Sequence, residues 1–315
     1  MYFPVADIEI NPAIPLTVGF AISLFTSMGG VSGAFLLLPF QMSVLGFYSP
    51  AVSATNHLFN IVAIPSGVWR YGREGRMIWP LTSVIVIGTL PGVLIGALLR
   101  VHWLSDPQDF KLFVGAVLLY LGGKVAIELL QKEKADQGQT IAEEQFQRIV
   151  DSQANGPGTD ELPKVSIRRF DFRRLVYEFC GEKFDLSVPH LMFLSLVVGA
   201  VGGIYGIGGG AFIAPFLVTF FGIPVYTAAG ASLMGTFVTS VAGVLFYQVL
   251  APLYPDMTVS PDWALGLMFG IGGMAGMYCG AMLQKFVSAR TVKAILAISI
   301  LVPALGYIRS SLRRP

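Results

Sequence analysis

Long stretches of this chain carry no charge at all. No Asp, Glu, Lys or Arg occurs between Glu9 and Arg70, between Arg76 and Arg100, between Asp185 and Asp256, or between Asp262 and Lys285. Each run is at least as long as the roughly 20 apolar residues that a helix needs to cross a bilayer. A soluble all-α protein is excluded by the same pattern, because 13% charged residues leave too little polar surface where a soluble domain carries about a quarter. A β-barrel is excluded as well, since barrel strands alternate apolar and polar residues and these runs are continuous and rich in Leu, Gly and Ala.

The chain also repeats itself, which matters more for its architecture than any single segment. Gly30-Val31-Ser32-Gly33-Ala34-Phe35-Leu36-Leu37-Leu38-Pro39-Phe40 returns as Gly206-Ile207-Gly208-Gly209-Gly210-Ala211-Phe212-Ile213-Ala214-Pro215-Phe216. In the same register Gly46 falls on Gly222, Asn56 on Ser232, Asn60 on Thr236 and Tyr71 on Tyr247. After an insertion of about eight residues in the second half, Trp79 falls on Trp263, and Gly88, Gly92 and Gly96 fall on Gly272, Gly276 and Gly280. Each half reads as two short apolar pieces flanking the glycine cluster (about 15–28 and 33–46, then 190–204 and 209–222), roughly a dozen residues each. Three full-length segments follow, at about 51–69, 78–99 and 111–130, then 226–250, 262–283 and 292–308.

Lys and Arg mark cytoplasmic loops. They occupy the loop Arg70–Arg76, the polar stretch between the halves and the loop Lys285–Lys293, and they are absent from the N-terminal tail, from 46–50 and from 251–262. Those two groups fall on opposite sides if the paired short pieces dip into the membrane and turn back at the glycines. Each half then makes three crossings, and an odd number turns the second half upside down. The expected fold is an all-α polytopic membrane protein of two inverted-topology repeats, each with a pair of short broken or re-entrant helices plus three full transmembrane helices. Residues 1–130 form the first repeat, 131–188 a polar cytoplasmic loop or small extramembrane subdomain, and 189–315 the second repeat. Within the polar stretch, Arg168-Arg169-Phe170-Asp171-Phe172-Arg173-Arg174 interleaves basic and aromatic residues, as a loop near lipid headgroups does. The C-terminal Arg309, Arg313 and Arg314 would lie outside, against the charge bias. The start MYFPVADIEINP lacks the basic n-region of a cleavable signal, so insertion into the inner membrane through the first hydrophobic segment is expected.

The Gly88 and Gly272 ladders, at four-residue spacing, are the pattern of close helix packing in lipid. The clusters around Gly30 and Gly208 differ, because they interrupt short pieces and precede a proline. Broken backbone at membrane depth is tolerated where protein buries it or where it lines a cavity, and freed amides at a helix N-terminus bind anions. Ser53, Thr55, Asn56, His57 and Asn60 follow the first cluster, and Ser232, Thr236, Thr239 and Ser240 follow the second. The candidate substrate-binding set is Gly30, Ser32, Gly33, Asn56, His57, Asn60, Gly208, Gly209, Gly210, Ser232 and Thr236. Helix–helix hydrogen bonding is the competing role for Asn56 and His57. No Lys or Arg is expected deep in the membrane, so amides, hydroxyls and dipoles would hold an anion. Cys180 and Cys279 show no metal spacing, and neither metal nor cofactor is expected.

The Gly-rich stretch leading to Pro, repeated as GIGGGAFIAP and followed by FGIPVYTAAGAS at 221–232, resembles the TauE/SafE sulfite exporter family over nearly the whole chain apart from the central stretch. The resemblance implies a secondary transporter or exporter of a small sulfur-containing or organic anion such as sulfite or sulfoacetate, rather than an enzyme. Its partners would be that anion and membrane lipid, with a homo-oligomer compatible and no nucleic acid. The first cluster departs from the fuller GxGGG pattern at Ser32, which allows an asymmetric site. Gly-x-Ser-Gly also suggests an intramembrane serine protease with His57 as base, but His57 and Asn60 follow the serine and the second copy has Gly208 in its place. A passive channel for small solutes is a further alternative. In a cysteine-free background, single cysteines in 70–76, 284–293 and the central stretch should label from one side and those in 251–262 from the other. Finding 251–262 and 284–293 on one side would overturn the two-repeat topology.

Overall fold

A computed structural model describes residues 1–130, 137–155 and 163–312. Part of the central stretch, including the sequence Gly156-Pro157-Gly158, and the C-terminal Arg313 and Arg314 lie outside the described residues. The chain opens with a small hairpin, β1 (Tyr2–Phe3) against β2 (Ile8–Glu9). The first half then runs through α1 (Ala13–Met28), α2 (Ala34–Ser43), α3 (Ala51–Arg73), α4 (Trp79–His102) and α5 (Pro107–Leu130). The polar stretch between the halves is folded. It contains α6 (Gln137–Asn155) and an antiparallel sheet, in order, of β3 (Ser166–Phe170), β4 (Arg174–Phe179) and β5 (Glu182–Ser187). The second half repeats the pattern with α7 (Val188–Tyr205), a 3-10 turn at Gly209–Phe212, α8 (Ile213–Phe221), α9 (Val225–Leu250), α10 (Trp263–Leu283) and α11 (Ala289–Leu312).

Four of the described helices, α4, α7, α9 and α10, are long and apolar enough to cross a membrane. The protein is a multi-pass membrane protein. The leading pieces are longer than the sequence suggested, with 16 residues in α1 and 18 in α7. Both helices extend past their apolar runs because each is paired along its length with a helix of the other half.

That pairing is the work of the glycine ladders. Gly88, Gly92 and Gly96 of α4 face the carbonyls of Met192, Leu196 and Ala200 on α7. Gly272, Gly276 and Gly280 of α10 face the carbonyls of Leu16, Phe20 and Leu24 on α1. The two sets are equivalent under the sequence repeat. A methyl placed on Gly92 would sit 2.4 Å from the Leu196 oxygen, and one on Gly276 would sit 2.2 Å from that of Phe20. Backbone meets backbone, which only glycine allows at this distance. The remaining helices follow the same exchange: α3 packs on α9 and on α10, α9 packs on α4, and α5 packs on α11.

The contacts define two ends. At the hairpin face, Asp262 caps α10 by accepting from the Leu265 amide at 3.0 Å, and it holds the first hairpin through the amides of Val5 and Ala6. There α3 also starts, with the Ala51 amide on the Thr258 carbonyl at 3.0 Å. At the sheet face the end of α1 is held by the Tyr71 hydroxyl on the Ser27 carbonyl at 2.9 Å and by the Gln284 amide on that of Met28. Helix α1 therefore runs from the hairpin face toward the sheet face, the chain turns at Gly29–Gly33, and α2 leads back to where α3 begins.

Valine at Gly92 or at Gly276 should separate a ladder pair and destabilise the protein by about 3 kcal/mol, read as a lower melting temperature in detergent. Valine at Gly123 of α5, where an added Cβ meets nothing within 4 Å, should leave melting unchanged.

Candidate functional site

Helices α3 and α9 cross antiparallel at the centre of the molecule. Along the crossing His57 lies at Gly243, Leu233 at Gly67 and Tyr71 at Gly230. Each glycine cluster leans on the crossing helix of the other half. Gly30, with φ +70°, would put a Cβ 2.4 Å from Cα of Ala229 on α9. Gly206, with φ +81°, would put one 2.4 Å from Cα of Ser53 on α3. Ala229 and Ser53 are themselves equivalent in the repeat. The positive φ and the close approach both demand glycine here.

Asn60 joins the parts. Its Nδ2 donates to the Ile207 carbonyl at 2.9 Å, in the second break, and to Ser240 Oγ on α9 at 3.0 Å. Its Oδ1 accepts from the hydroxyl of Ser32, in the first break, and that hydroxyl oxygen accepts the Ala34 amide at 3.1 Å. His57 Nδ1 lies 3.3 Å from Ser240 Oγ. Gly208, with φ +80°, faces Thr239 Oγ1 and Ser240 Oγ at 2.9 and 3.0 Å from the position of an added Cβ. Ser32, Asn56, His57, Asn60, Thr239 and Ser240 are all fully buried. Around them the amide of Asn56, Nε2 of His57 and Oγ of Ser53 make no hydrogen bond. Such groups are costly when buried and dry, at about 1–3 kcal/mol each, and they are the groups that a polar ligand would satisfy. Among the described residues no Lys, Arg, Asp or Glu hydrogen-bonds to this cluster, and no group of three His, Cys, Asp or Glu side chains could hold a metal.

The candidate residues from the sequence divide by role. Ser32, Asn56, His57, Asn60 and Gly208 meet at the crossing. Gly30 serves close packing, as do Gly33 against Ser23 and Phe59 and Gly209 against Thr89 and Gly199. Gly210 packs on the backbone of Ser232 and Thr236. The hydroxyls of Ser232 and Thr236 donate to Ala228 and Ser232 carbonyls of their own helix, each at 2.9 Å. Repeat symmetry pairs Asn60 with Thr236, yet Asn60 bonds to Ser240, one turn further along α9. The Ile207 carbonyl gives no sequence signal beyond its place in the glycine cluster. Ser32 bonds to Asn60 and His57 lies against Ser240, so the Ser32–His57 pair of the protease alternative is not formed.

The family model described as "Sulfite exporter TauE/SafE" matches residues 16–307. Among curated proteins the chain is similar to a "Probable membrane transporter protein" of Methanocaldococcus jannaschii, 27% identical over 134 residues, which are 41% of this chain and 47% of that one. It is 22% identical to "Probable membrane transporter protein YunE" of Bacillus subtilis over 298 residues, covering 92% of this chain and 94% of the relative. To a "Probable membrane transporter protein" of Xylella fastidiosa strain 9a5c it is 30% identical over 282 residues, covering 86% and 83%. The chain thus spans nearly all of YunE but about half of the archaeal relative. No solved structure matches.

Replacing Asn60 by Leu takes the partner from the Ile207 carbonyl and from the Ser32 hydroxyl and should cost about 3 kcal/mol in detergent stability. Ser240→Ala, which removes only one hydroxyl, should cost about 1 kcal/mol. A melting curve of Asn60→Leu that superimposes on the parent's would show that the cluster does not join the halves.

Proposed function

The chain belongs to the sulfite exporter TauE/SafE family, a family of membrane transporters, and on that premise we propose that it is a secondary carrier of small sulfur-containing or organic anions, such as sulfite or sulfoacetate, across the cytoplasmic membrane. One observation carries the reading. The Asn60-centred cluster draws its members from both glycine breaks and both crossing helices, is fully buried, and contains no ionised side chain. Intramembrane polar groups are expensive, and a neutral set of amide and hydroxyl donors suits an anion that must also be released. Arg or Lys at the same depth would bind it more tightly and release it more slowly.

The halves act as inverted-topology repeats in this reading. Support comes from the antiparallel register of α3 and α9 and from the equivalence of the α1–α10 and α7–α4 pairs. Broken helices at the repeat interface, near mid-membrane, are where such carriers bind their substrate. The sheet face is the cytoplasmic side by its Lys and Arg content, and residues 131–188 belong to that side. Transport alternates access by moving one set of helices about the crossing, so that the cluster opens to one face at a time. The anion is held by Asn56, Asn60, His57, Ser32 and the backbone around Gly208. No covalent step is required.

The test is exchange in proteoliposomes. Vesicles loaded with unlabelled sulfite should accumulate labelled sulfite above its equilibrium level and saturably, and Asn56→Leu should reduce that exchange at least tenfold. A thermal-shift series with sulfite, sulfoacetate, taurine, thiosulfate, sulfate and acetate should rank the anions. Absence of both counterflow and any anion-dependent shift would overturn the reading, and flux without saturation or accumulation would make the protein a channel.

A further inference from the structure

The two ends of the α3–α9 crossing are built alike but charged differently. Tyr71 and Tyr247 are equivalent in the repeat, one near the sheet face and the other near the hairpin face, and each stands beside a fully buried arginine. At the sheet face the Arg76 guanidinium lies 4.7 Å over the Tyr71 ring, donates to Gln284 Oε1 at 2.6 Å and pairs with Glu74 at 2.5 Å. At the hairpin face Arg100 stands 3.7 Å over the Phe110 ring. It donates to the carbonyls of Leu104 and, at 3.2 Å, Tyr48. Among the described residues no carboxylate pairs with Arg100, and its Nε makes no hydrogen bond. Glu74 also pairs with Arg70 at 2.8 Å and lies 3.9 Å from Lys285, so one end holds a buried arginine in contact with a shared carboxylate and the other, among the described residues, a buried arginine with no carboxylate contact.

A line of unpartnered polar atoms leads inward from Arg100. Ser49 Oγ, next to the Tyr48 carbonyl that Arg100 holds, makes no hydrogen bond, and neither do Ser53 Oγ, the Asn56 amide or His57 Nε2. These residues recur every one to four positions along one face of α3 and the turn before it, and they end at the Asn60 cluster. Tyr247 stands over the middle of the line. It lies beside Ser53 without a hydrogen bond of ordinary geometry, with its ring 6.0 Å from that of His57. Helix-capping by Arg100 accounts for its two carbonyl contacts. It does not account for the missing counter-charge, nor for four consecutive unsatisfied positions along one face.

We propose that Arg100 is a second anion station, between the central cluster and the hairpin face, and that Ser49, Ser53 and Asn56 line the path joining the two. The ligand is a small oxyanion of sulfite or sulfonate type, whose oxygens match the planar fork of a guanidinium. This inference rests on the carrier reading and adds an asymmetry to it. An anion at the sheet face meets an arginine already in contact with the Glu74 carboxylate, whereas at the hairpin face it would supply the carboxylate-like partner that Arg100 lacks among the described residues.

Two measurements test the station, one of which needs no transport. In full-length protein with Cys180 and Cys279 replaced by Ser, Ser49→Cys should react about tenfold faster with a negatively charged methanethiosulfonate than with a positively charged one, and Arg100→Gln should remove that preference. In proteoliposomes, Arg100→Gln should raise the half-saturating sulfite concentration about tenfold, as loss of one charge-assisted contact does, while Arg100→Lys recovers most of the affinity. Equal reaction with both reagents, or no reaction at Ser49→Cys, overturns the proposal even if the Arg100→Gln protein fails to fold. Sulfite exchange by the parent protein that is unchanged in a folded Arg100→Gln variant overturns it while leaving the carrier reading standing. A reagent preference in a protein that moves no anion supports the station and counts against the carrier.

Discussion

Contact of backbone with backbone along the two glycine ladders is the constraint on which the structure depends. In lipid the solvent is as apolar as a leucine side chain, so helices associate through close packing and polar contacts. Six glycines bring α4 onto α7 and α10 onto α1, and each of those pairs joins one half of the chain to the other. The first helix of each repeat is thereby held by the fourth helix of its counterpart. The glycine breaks begin where those first helices end, so their position at the α3–α9 crossing is set from across the repeat boundary. Neither half can place its own break without the other.

What meets at the crossing is polar and uncharged. Asn60 reaches both breaks, through Ser32 on one side and the Ile207 carbonyl on the other. The repeats supply equivalent frames but unequal contents, because the first break carries Ser32 where the second carries Gly208. The resulting cluster is unequal across the repeat, with Ser240 shared between Asn60 and His57. A neutral donor set avoids the desolvation cost of buried ionised side chains.

The ends of the molecule break the symmetry further. At the sheet face α6 lies across the segments that follow α8 and α10. The amide side chain of Gln139 reaches the Ile223 carbonyl, Glu143 accepts the Val225 amide at 3.0 Å, and the side chain of Gln147 reaches the Lys285 carbonyl. Beneath it Arg76, Glu74 and Gln284 form a paired network. The hairpin face has no such cover. There Asp262 ties the N-terminal hairpin, α3 and α10 together, and among the described residues Arg100 has no acidic partner. Among the described residues the two faces thus differ in whether their buried arginine touches a carboxylate.

The sequence alone determined the class of the protein, because charge-free runs of membrane length have no other stable home. It determined the duplication, and the two kinds of glycine could be told apart: ladders at four-residue spacing pack helices, while clusters before a proline break them. It named Ser32, Asn56, His57 and Asn60, since polar residues inside apolar segments stand out against their surroundings. Only the tertiary structure decided the partners. Periodicity shows which face of α4 is small but not that α7 covers it, and the repeat makes Asn60 equivalent to Thr236 without showing that the antiparallel crossing brings it to Ser240. The folded α6 and β3–β5 were hidden because a polar stretch has no membrane signal to report its packing. Arg100 read as the end of an apolar run, and its burial against Phe110 follows from the turn at Leu104, a distance in space that no spacing along the chain records.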